Sequence, residues 1–241
     1  MARTRAVLLG PSITSTEWLR LSVRGFRVSQ KTDVLVGVDG GTALWKRLGF
    51  TPDFAIGDWD SLKYLTILKS IPHLDLPTHK DFSDLMYAGC AAVQAGATSL
   101  LCLGVTGGRP DHQIAMLLDL AQLSEDREAK LTSVISVGED AEYHFVSPRM
   151  GEREFRIPKG QTVSMFALGG AAQGVTIKGF EYPLSQAELI PSSHGLSNRA
   201  KVARQTVVTK RGVITMVLPN QLKFSHNVTR AGVAGPRYEG T

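Results

Sequence analysis

The sequence predicts an α/β domain followed by an all-β domain. Up to about residue 140, short β-branched or apolar runs alternate with stretches of helical spacing, which is typical of a mostly parallel sheet with helices on both faces. Beyond that point Gly, Pro and polar turns separate short apolar runs with no helix between them, which favours an antiparallel β-sandwich or barrel. The change of period places the domain boundary near Gly138–Ala141 or slightly later, at Ser147–Glu152.

The first domain, residues 1–140, is predicted to repeat strand and helix. Apolar or β-branched runs predict its strands at Val7–Leu9, Val34–Val38, Phe54–Ile56, Ser99–Leu103 and Leu131–Val137. Helical spacing predicts its helices at Ser15–Arg24, Thr42–Leu48, Asp84–Ala95 and Asp111–Leu123. Ser83 or Asp81 is expected to cap the third helix, because both side chains can accept a hydrogen bond from its first turn.

The second domain, residues 141–222, contains strand candidates only. They lie at Tyr143–Val146, Glu154–Ile157, Thr162–Leu168, Gly174–Ile177, Lys201–Thr209 and Val213–Leu218. Residues 223–241 have no apolar period, and we expect them to form a flexible tail.

Composition excludes several classes of protein. With 241 residues, 43% apolar and 20% charged, the chain can bury a core and is not a disordered chain. No apolar run reaches the ~20 residues of a membrane span, and the opening segment is interpreted as a first strand rather than a signal peptide. Two cysteines are too few for a disulfide framework or a cysteine-based zinc site. We therefore expect a cytoplasmic protein without a membrane partner.

The net charge of +5 does not indicate a nucleic-acid partner. Residues 1–6 and 223–241 hold +4 of it, which leaves +1 for residues 7–222. The acids are more informative, because ten Asp and no Glu lie between Trp18 and Ser124. Glu is the better helix former, whereas Asp suits turns, caps and hard-cation sites. This half of the chain therefore keeps its carboxylates in loops and at element ends.

Two acidic segments follow predicted strands, where open parallel sheets bind their ligands. In Asp39-Gly40-Gly41 the glycines permit positive φ and close approach of a phosphate or base, unless the segment is a plain strand-to-helix turn. In Asp58-Trp59-Asp60 the two carboxylates, at i and i+2 of an extended segment, share one face and can converge on Mg²⁺. A surface turn is the alternative for that segment.

Two further segments lie at predicted helix starts. Asp81 and Asp84 are spaced i, i+3, which suits either a charged site or simple capping and dipole compensation. Thr106-Gly107-Gly108-Arg109 offers backbone N–H groups and a guanidinium, the groups that clamp phosphate, and Asp111 and His112 follow. The sequence has neither a P-loop nor a Gly-x-Gly-x-x-Gly fingerprint, which disfavours a standard kinase P-loop and a standard dinucleotide fold.

Six short motifs stand in a definite order along the chain. Those of the first half are Asp39-Gly40-Gly41, Pro52-Asp53-Phe54-Ala55-Ile56-Gly57-Asp58-Trp59-Asp60-Ser61, Asp81-Phe82-Ser83-Asp84 and Gly107-Gly108-Arg109-Pro110-Asp111-His112. Those of the second half are Gly179-Phe180-Glu181-Tyr182-Pro183-Leu184 and Gly195-Leu196-Ser197-Asn198. In this order they resemble the thiamine pyrophosphokinase family. The resemblance implies a Rossmann-like α/β domain, a C-terminal β-sandwich and a homodimer.

The resemblance also implies an enzyme that transfers the pyrophosphoryl group of ATP to thiamine with Mg²⁺, giving thiamine diphosphate and AMP. It implies catalytic roles for Asp58, Asp60, Asp84 and Arg109. The three aspartates among them are expected to hold Mg²⁺, although Asp84 could instead accept the hydroxyl proton. The remaining ATP contacts that it implies come from Asp39, Gly40, Gly41, Asp81, Gly107, Gly108, Asp111 and His112.

Residues 1–140 are thus expected to bind ATP and Mg²⁺, and residues 141–222 to bind thiamine. Tyr182 would offer an aromatic face to the cationic thiazolium or to the pyrimidine, with a core tyrosine as the alternative. Ser197 and Asn198 would hydrogen-bond the aminopyrimidine. Two other functions stay open: a pyrophosphokinase for another hydroxyalkyl heterocycle such as a hydroxymethylpterin, and a non-catalytic nucleotide- or thiamine-binding regulator.

Overall fold

The structure is a computed structural model that describes residues 3–60, 62, 65–126 and 128–219. The chain divides into two units, the first ending at Glu139 and the second beginning at Asp140. Ser61, the last residue of the second motif, and the predicted tail over residues 223–241 lie outside the described residues.

The first unit is built on a parallel sheet. Its strands are β1 Arg5–Leu9, β2 Asp33–Val38, β3 Phe54–Gly57, β4 His73–Asp75, β5 Ser99–Leu103 and β6 Ser133–Val137. Its helices are α1 Thr16–Gly25, α2 Gly41–Arg47, α3 Asp84–Gln94 and α4 Pro110–Glu125, with a 3₁₀ helix over Leu65–Ser70. The strands pair in parallel in the order β4-β3-β2-β1-β5-β6. Their carboxyl ends therefore lie along one edge, called here the carboxyl edge, and their amino ends along the other, the amino edge.

The core of this unit begins with the apolar side of α1. Ser15 caps the helix by accepting a hydrogen bond from the backbone N–H of Trp18 at 3.1 Å, which satisfies a free donor of the first turn. Trp18 and Leu19 are buried and pack in one cluster with residues of β1, β2 and β5 and with the fully buried Trp45. The Trp45 indole donates to the backbone oxygen of Val36 at 2.9 Å, so its polar atom is satisfied inside the core.

The second unit is an antiparallel β structure. Its strands are β7 Ala141–Val146, β8 Arg153–Phe155, β9 Thr162–Phe166, β10 Ala172–Lys178, β11 Leu184–Leu189, β12 Asn198–Arg199, β13 Gln205–Val208 and β14 Ile214–Pro219. They pair antiparallel in the orders β12-β9-β14-β7 and β11-β10-β13-β8. One buried cluster contains side chains from both strand sets, among them Val163, Val175, Val207 and Met216. The predicted fold class, an α/β part followed by a β-sandwich, is confirmed.

The sequence pattern missed elements that carry a weak apolar signal. β4 is exposed at all three of its positions, and β12 has two residues. β11 alternates poorly and contains Gln186 at φ 49°, in the left-handed region, which interrupts its register with β10. The strand predicted over Lys201–Thr209 is shorter, because only Gln205–Val208 pairs with its neighbours. Among the described residues, the longest apolar helical stretch falls short of what a bilayer crossing requires.

Candidate active site

Three carboxylates meet at the carboxyl edge of the parallel sheet. Asp39 directly follows β2, and Asp58 and Asp60 follow β3, its parallel neighbour. One carboxylate oxygen from each of the three lies within 4.8 Å of the others. Oxygen donors at this spacing suit a hard divalent cation such as Mg²⁺. Asp39 is buried, Asp58 is half-buried and Asp60 is exposed, so the cluster opens toward solvent on one side.

The cluster forms because two loops approach each other unusually closely. Asp39 has φ 46° and Trp59 has φ 63°, both in the left-handed region that disfavours residues with a Cβ. A Cβ on Gly57 would lie 2.8 Å from the Asp39 Cα atom, so glycine is required for this approach. One strained residue, Asp39, carries a carboxylate of the cluster, and the other, Trp59, lies between Asp58 and Asp60, so the strain belongs to the site.

The glycines after Asp39 form the strand-to-helix turn that the sequence analysis held open as the alternative. Gly40 directly precedes α2 and is right-handed at φ −56°, so the positive φ that the glycines would permit is not used there, and Asp39 itself takes the left-handed conformation. A Cβ on Gly41 would lie 1.8 Å from the backbone oxygen of Leu9. This glycine is needed to pack α2 against the end of β1.

Trp59 is anchored at the sheet's outer strand. Its indole N–H donates to Asp75 Oδ1 at 2.6 Å, and its ring meets the ring of His73 edge-on with centroids 6.0 Å apart. Both partners belong to β4, a strand that the sequence did not predict. These contacts hold the turn that carries Asp58 and Asp60.

Lys80 joins this cluster to α3. Its ammonium lies 2.8 Å from Asp58 Oδ2 and 3.2 Å from Asp84 Oδ1. The hydrogen bond from Lys80 lowers the pKa of Asp58, whereas burial raises the pKa of Asp84 despite the same partner. Burial alone would lower the pKa of Lys80, but its bonds to the two carboxylates raise it. The pairing thus favours the charged forms of Lys80 and Asp58, whereas burial disfavours the charged form of Asp84.

Sequence reasoning missed Lys80, although two signals were available. The lysine directly precedes the Asp-x-Ser-Asp motif and stands four residues before Asp84. Within that motif Ser83 is the helix cap, accepting from the backbone N–H of Met86 at 3.2 Å, as one of the two predicted alternatives had it. Asp81 is exposed.

The glycine-rich loop after β5 also lies at the carboxyl edge. Gly107 and Gly108 have φ 105° and 70°, conformations that glycine adopts without strain. Arg109 is exposed and pairs with Asp111 at 2.6 Å. The hydrogen bond from Arg109 lowers the pKa of Asp111 to about 2. The guanidinium is thus held by its own loop, and the neighbouring His112 is exposed.

In the second unit, Tyr182 has an exposed side chain, and a buried asparagine, Asn198, hydrogen-bonds its backbone. Tyr182 is 68% exposed, which excludes a core tyrosine. Asn198 Oδ1 accepts from the Tyr182 backbone N–H at 3.1 Å and from the Arg199 backbone N–H at 2.8 Å. Its Nδ2 donates to the backbone oxygen of Tyr182 at 2.9 Å. Ser197 has φ 59° and donates its backbone N–H to Ser164 Oγ at 3.1 Å. Asn198 therefore uses most of its polar capacity on the backbone beside Tyr182.

The carboxyl edge of the parallel sheet holds clustered carboxylates, a paired lysine and a glycine-rich loop. This arrangement is typical of nucleotide-binding α/β enzymes that act on phosphate groups. Residues 27–132 match the family model described as thiamin pyrophosphokinase, catalytic domain. Residues 148–214 match the model described as thiamin pyrophosphokinase, vitamin B1 binding domain. Together these models cover well over half of the chain, and the chain belongs to the thiamin pyrophosphokinase family of diphosphotransferases.

Similar proteins support this assignment. A thiamine pyrophosphokinase of Bacillus subtilis (strain 168) is 26% identical over 188 residues, which cover 76% of this chain and 85% of the relative. A crystal structure of thiamine pyrophosphokinase from Bacillus subtilis has a TM-score of 0.71 at 22% identity, covering 90% of this chain and 99% of that one. The corresponding structure from Geobacillus thermodenitrificans has a TM-score of 0.68 at 24% identity, covering 91% and 98%. At these identities the two structures establish the shared fold.

Proposed function

We propose that this chain transfers the pyrophosphoryl group of ATP to the hydroxyethyl oxygen of thiamine, giving thiamine diphosphate and AMP. The meeting of Asp39, Asp58 and Asp60 within a unit that matches the catalytic-domain model carries the proposal. In this proposal the first unit binds ATP. The second unit binds thiamine, which the match to the vitamin B1 binding domain supports.

We assign the proposed magnesium ligands to Asp39, Asp58 and Asp60. When bound there, Mg²⁺ would neutralise charge on the phosphates and help to align them. Asp39, expected from the sequence only to line the nucleotide site, takes the place of Asp84 in this assignment, because its carboxylate lies within 4.8 Å of those of Asp58 and Asp60 and the group so formed does not include Asp84. The three oxygen donors and their spacing support this choice.

The remaining residues of the carboxyl edge position the nucleotide. Transfer of a phosphate group needs little covalent help from a protein, so orientation and charge stabilisation dominate. The backbone of Gly107 and Gly108 offers N–H donors to phosphate oxygens, and the exposed Arg109 guanidinium is available to exchange Asp111 for a phosphate. The hydroxyethyl oxygen of thiamine attacks the β-phosphorus of the ATP held in this way, and AMP leaves.

Tyr182 is the proposed contact for the rings of thiamine. Its exposed ring can present a π face to the cationic thiazolium. Asn198 contributes by fixing the backbone at Tyr182, and we assign it this supporting role in place of the direct ligand contact predicted from the sequence. Ser197 keeps its proposed contact with the aminopyrimidine, because its side chain is exposed and directly precedes Asn198.

We further propose that the enzyme works as a cytoplasmic homodimer. Ile114 and Leu118, four residues apart on α4, expose 62% and 43% of their surface, and apolar side chains exposed in this pattern are typical of a helix face that pairs with another chain. The reaction consumes ATP, which supports a cytoplasmic setting. Sedimentation of the purified chain at twice the monomer mass would agree with the dimer, and a monomer at micromolar concentration would contradict it.

The decisive experiment measures AMP formed from ATP by the purified chain. AMP should appear only when thiamine and Mg²⁺ are both present, and EDTA should stop its formation. A hydroxymethylpterin tested in place of thiamine should give no AMP. Folded protein that binds ATP or thiamine without making AMP would contradict the proposal in favour of a regulator, and turnover with the pterin alone would reassign the acceptor.

A further inference from the structure

Lys80 is a nearly buried lysine whose ammonium is fixed by two hydrogen bonds and one further ion pair. Its Nζ atom lies 2.8 Å from Asp58 Oδ2, 3.2 Å from Asp84 Oδ1 and 3.2 Å from the backbone oxygen of Pro77, and the side chain is 10% exposed. An ammonium has three N–H donors, and lysine is seldom buried unless it is paired. The position of this charge is therefore determined by the fold.

The same carboxylate serves Lys80 and the cluster of three aspartates. Asp58 accepts from Lys80 through Oδ2 and also belongs to the group formed with Asp39 and Asp60. A fixed monovalent cation thus stands directly beside the proposed divalent-cation site. The family motifs of the sequence analysis assigned no role to this lysine.

The charge of Lys80 has opposite effects on the binding of a free divalent cation and on the binding of a polyphosphate. The four carboxylates of Asp39, Asp58, Asp60 and Asp84 and the one ammonium have a formal sum of −3. Removal of the ammonium would make it −4, which attracts a free divalent cation more strongly. The same removal would repel a polyphosphate more strongly, because like charges in a partly buried site interact over several ångströms.

We propose that Lys80 is a positioning residue that makes the site prefer a divalent cation carried by a polyphosphate over the free cation. It does so through a permanent positive charge, which its contacts with Asp58 and Asp84 hold beside the cluster. The inference rests on the proposed function for the identity of the polyphosphate, the triphosphate of ATP. The metal preference itself depends only on the geometry around Lys80.

The test compares Lys80→Met with Lys31→Met, a control at an exposed lysine just before β2, at the amino edge. Binding of free Mn²⁺ is followed by electron paramagnetic resonance, and binding of α,β-methylene-ATP, which resists cleavage, is followed by calorimetry in excess Mg²⁺. Lys80→Met should bind free Mn²⁺ about tenfold more tightly and the nucleotide about tenfold more weakly, since one unit charge has been removed at close range. Lys31→Met should match the wild type in both assays.

A second variant separates charge from packing. Lys80→Arg keeps the positive charge, so its affinity for free Mn²⁺ should stay within about twofold of the wild type, because a unit charge remains at a similar distance from the cluster in the same surroundings. Unchanged or weaker Mn²⁺ binding by Lys80→Met, or tighter binding by Lys80→Arg, would overturn the inference. Failure of the proposed function is distinguishable, because the wild type would then make no AMP from ATP and thiamine whatever the Mn²⁺ affinities of the variants.

Discussion

The amino and carboxyl edges of the parallel sheet place aspartates in opposite electrostatic settings. At the amino edge, Asp33 is buried and accepts from Arg5 Nε and Nη2 at 2.8 and 2.7 Å, and Asp53 pairs with Arg3 at 2.7 Å. Each carboxylate there has its own guanidinium. At the carboxyl edge, by contrast, Asp58 and Asp84 share one lysine, Lys80, and Asp58 also lies in the carboxylate cluster with Asp39 and Asp60.

The difference teaches which aspartates serve folding and which are available to a ligand. A carboxylate with a matched guanidinium has satisfied its charge within the fold, and its removal harms stability. A cluster with excess negative charge opposes folding unless a cation balances it. Fold stability alone gives no reason for such a cluster, which supports our proposal that the carboxyl edge is the functional edge.

The largest expected effect tests the two ends of β3 with the same substitution. Asp58→Asn should lower turnover at least about 10³-fold, because a carboxylate placed for the charge of the reaction is lost, and should leave the melting temperature nearly unchanged. Asp53→Asn, at the amino end of the same strand, should keep turnover within about twofold and lose about 1 kcal/mol of stability with its Arg3 ion pair. Steady-state AMP formation and thermal unfolding measure both. Loss of the fold in Asp58→Asn would mean that both edges are structural.

A smaller effect is expected when the amino edge loses a cation. Arg5→Met should lower the free energy of unfolding by about 2 kcal/mol, since it leaves the buried Asp33 without its guanidinium. The loss is smaller than for a fully buried ion pair, because part of the Arg5 side chain is exposed to solvent. Urea unfolding measures the loss, and activity well below the transition should be that of the wild type. Equal stability of variant and wild type would show that Asp33 does not need its partner.

A subtler change tests the strained turn of the carboxyl edge. Trp59→Phe keeps a ring but removes the indole donor to Asp75, so Asp58 and Asp60 should lose part of their alignment. We expect the Kd for Mn²⁺ to rise about fivefold, which corresponds to one hydrogen bond of about 1 kcal/mol, with a melting temperature close to that of the wild type. Asp75→Asn, which keeps an acceptor, should have the smaller effect of the two. Unchanged Mn²⁺ binding in both variants would show that the hydrogen bond from Trp59 to Asp75 does not align Asp58 and Asp60.

The smallest expected effect concerns an aspartate within α4 that is not part of the carboxylate cluster. Asp119 on α4 accepts a hydrogen bond from Ser83 Oγ, and burial raises its pKa. The ionised form therefore weakens the fold as the pH rises through that raised pKa, and Asp119→Asn should melt slightly higher than the wild type at pH 7. The difference should vanish below about pH 4, where the free carboxyl is also protonated. A variant that melts lower at pH 7 would show that the charge of Asp119 is needed.

Much of the fold followed from local pattern. The helix over residues 84–94 was predicted within one residue at its end, and Ser99–Leu103 was predicted with its observed bounds. These segments combine clear periodicity with a cap or a β-branched and apolar run, so local preference agrees with tertiary packing. β4 and β12 gave no such signal, because an exposed edge strand and a two-residue strand are defined by their partners.

The sequence by itself determined the two-part architecture and the loops that carry chemistry, because periodicity and the excess of Asp over Glu are local properties of the chain. Only the tertiary structure decided how those loops combine. In the fold, Asp39 lies in the cluster with Asp58 and Asp60. Asp84 pairs with Lys80, and Asn198 hydrogen-bonds the backbone of Tyr182. These pairings join residues from 4 to 21 positions apart. They depend on strand register and on the close approach at Gly57, which no local pattern encodes.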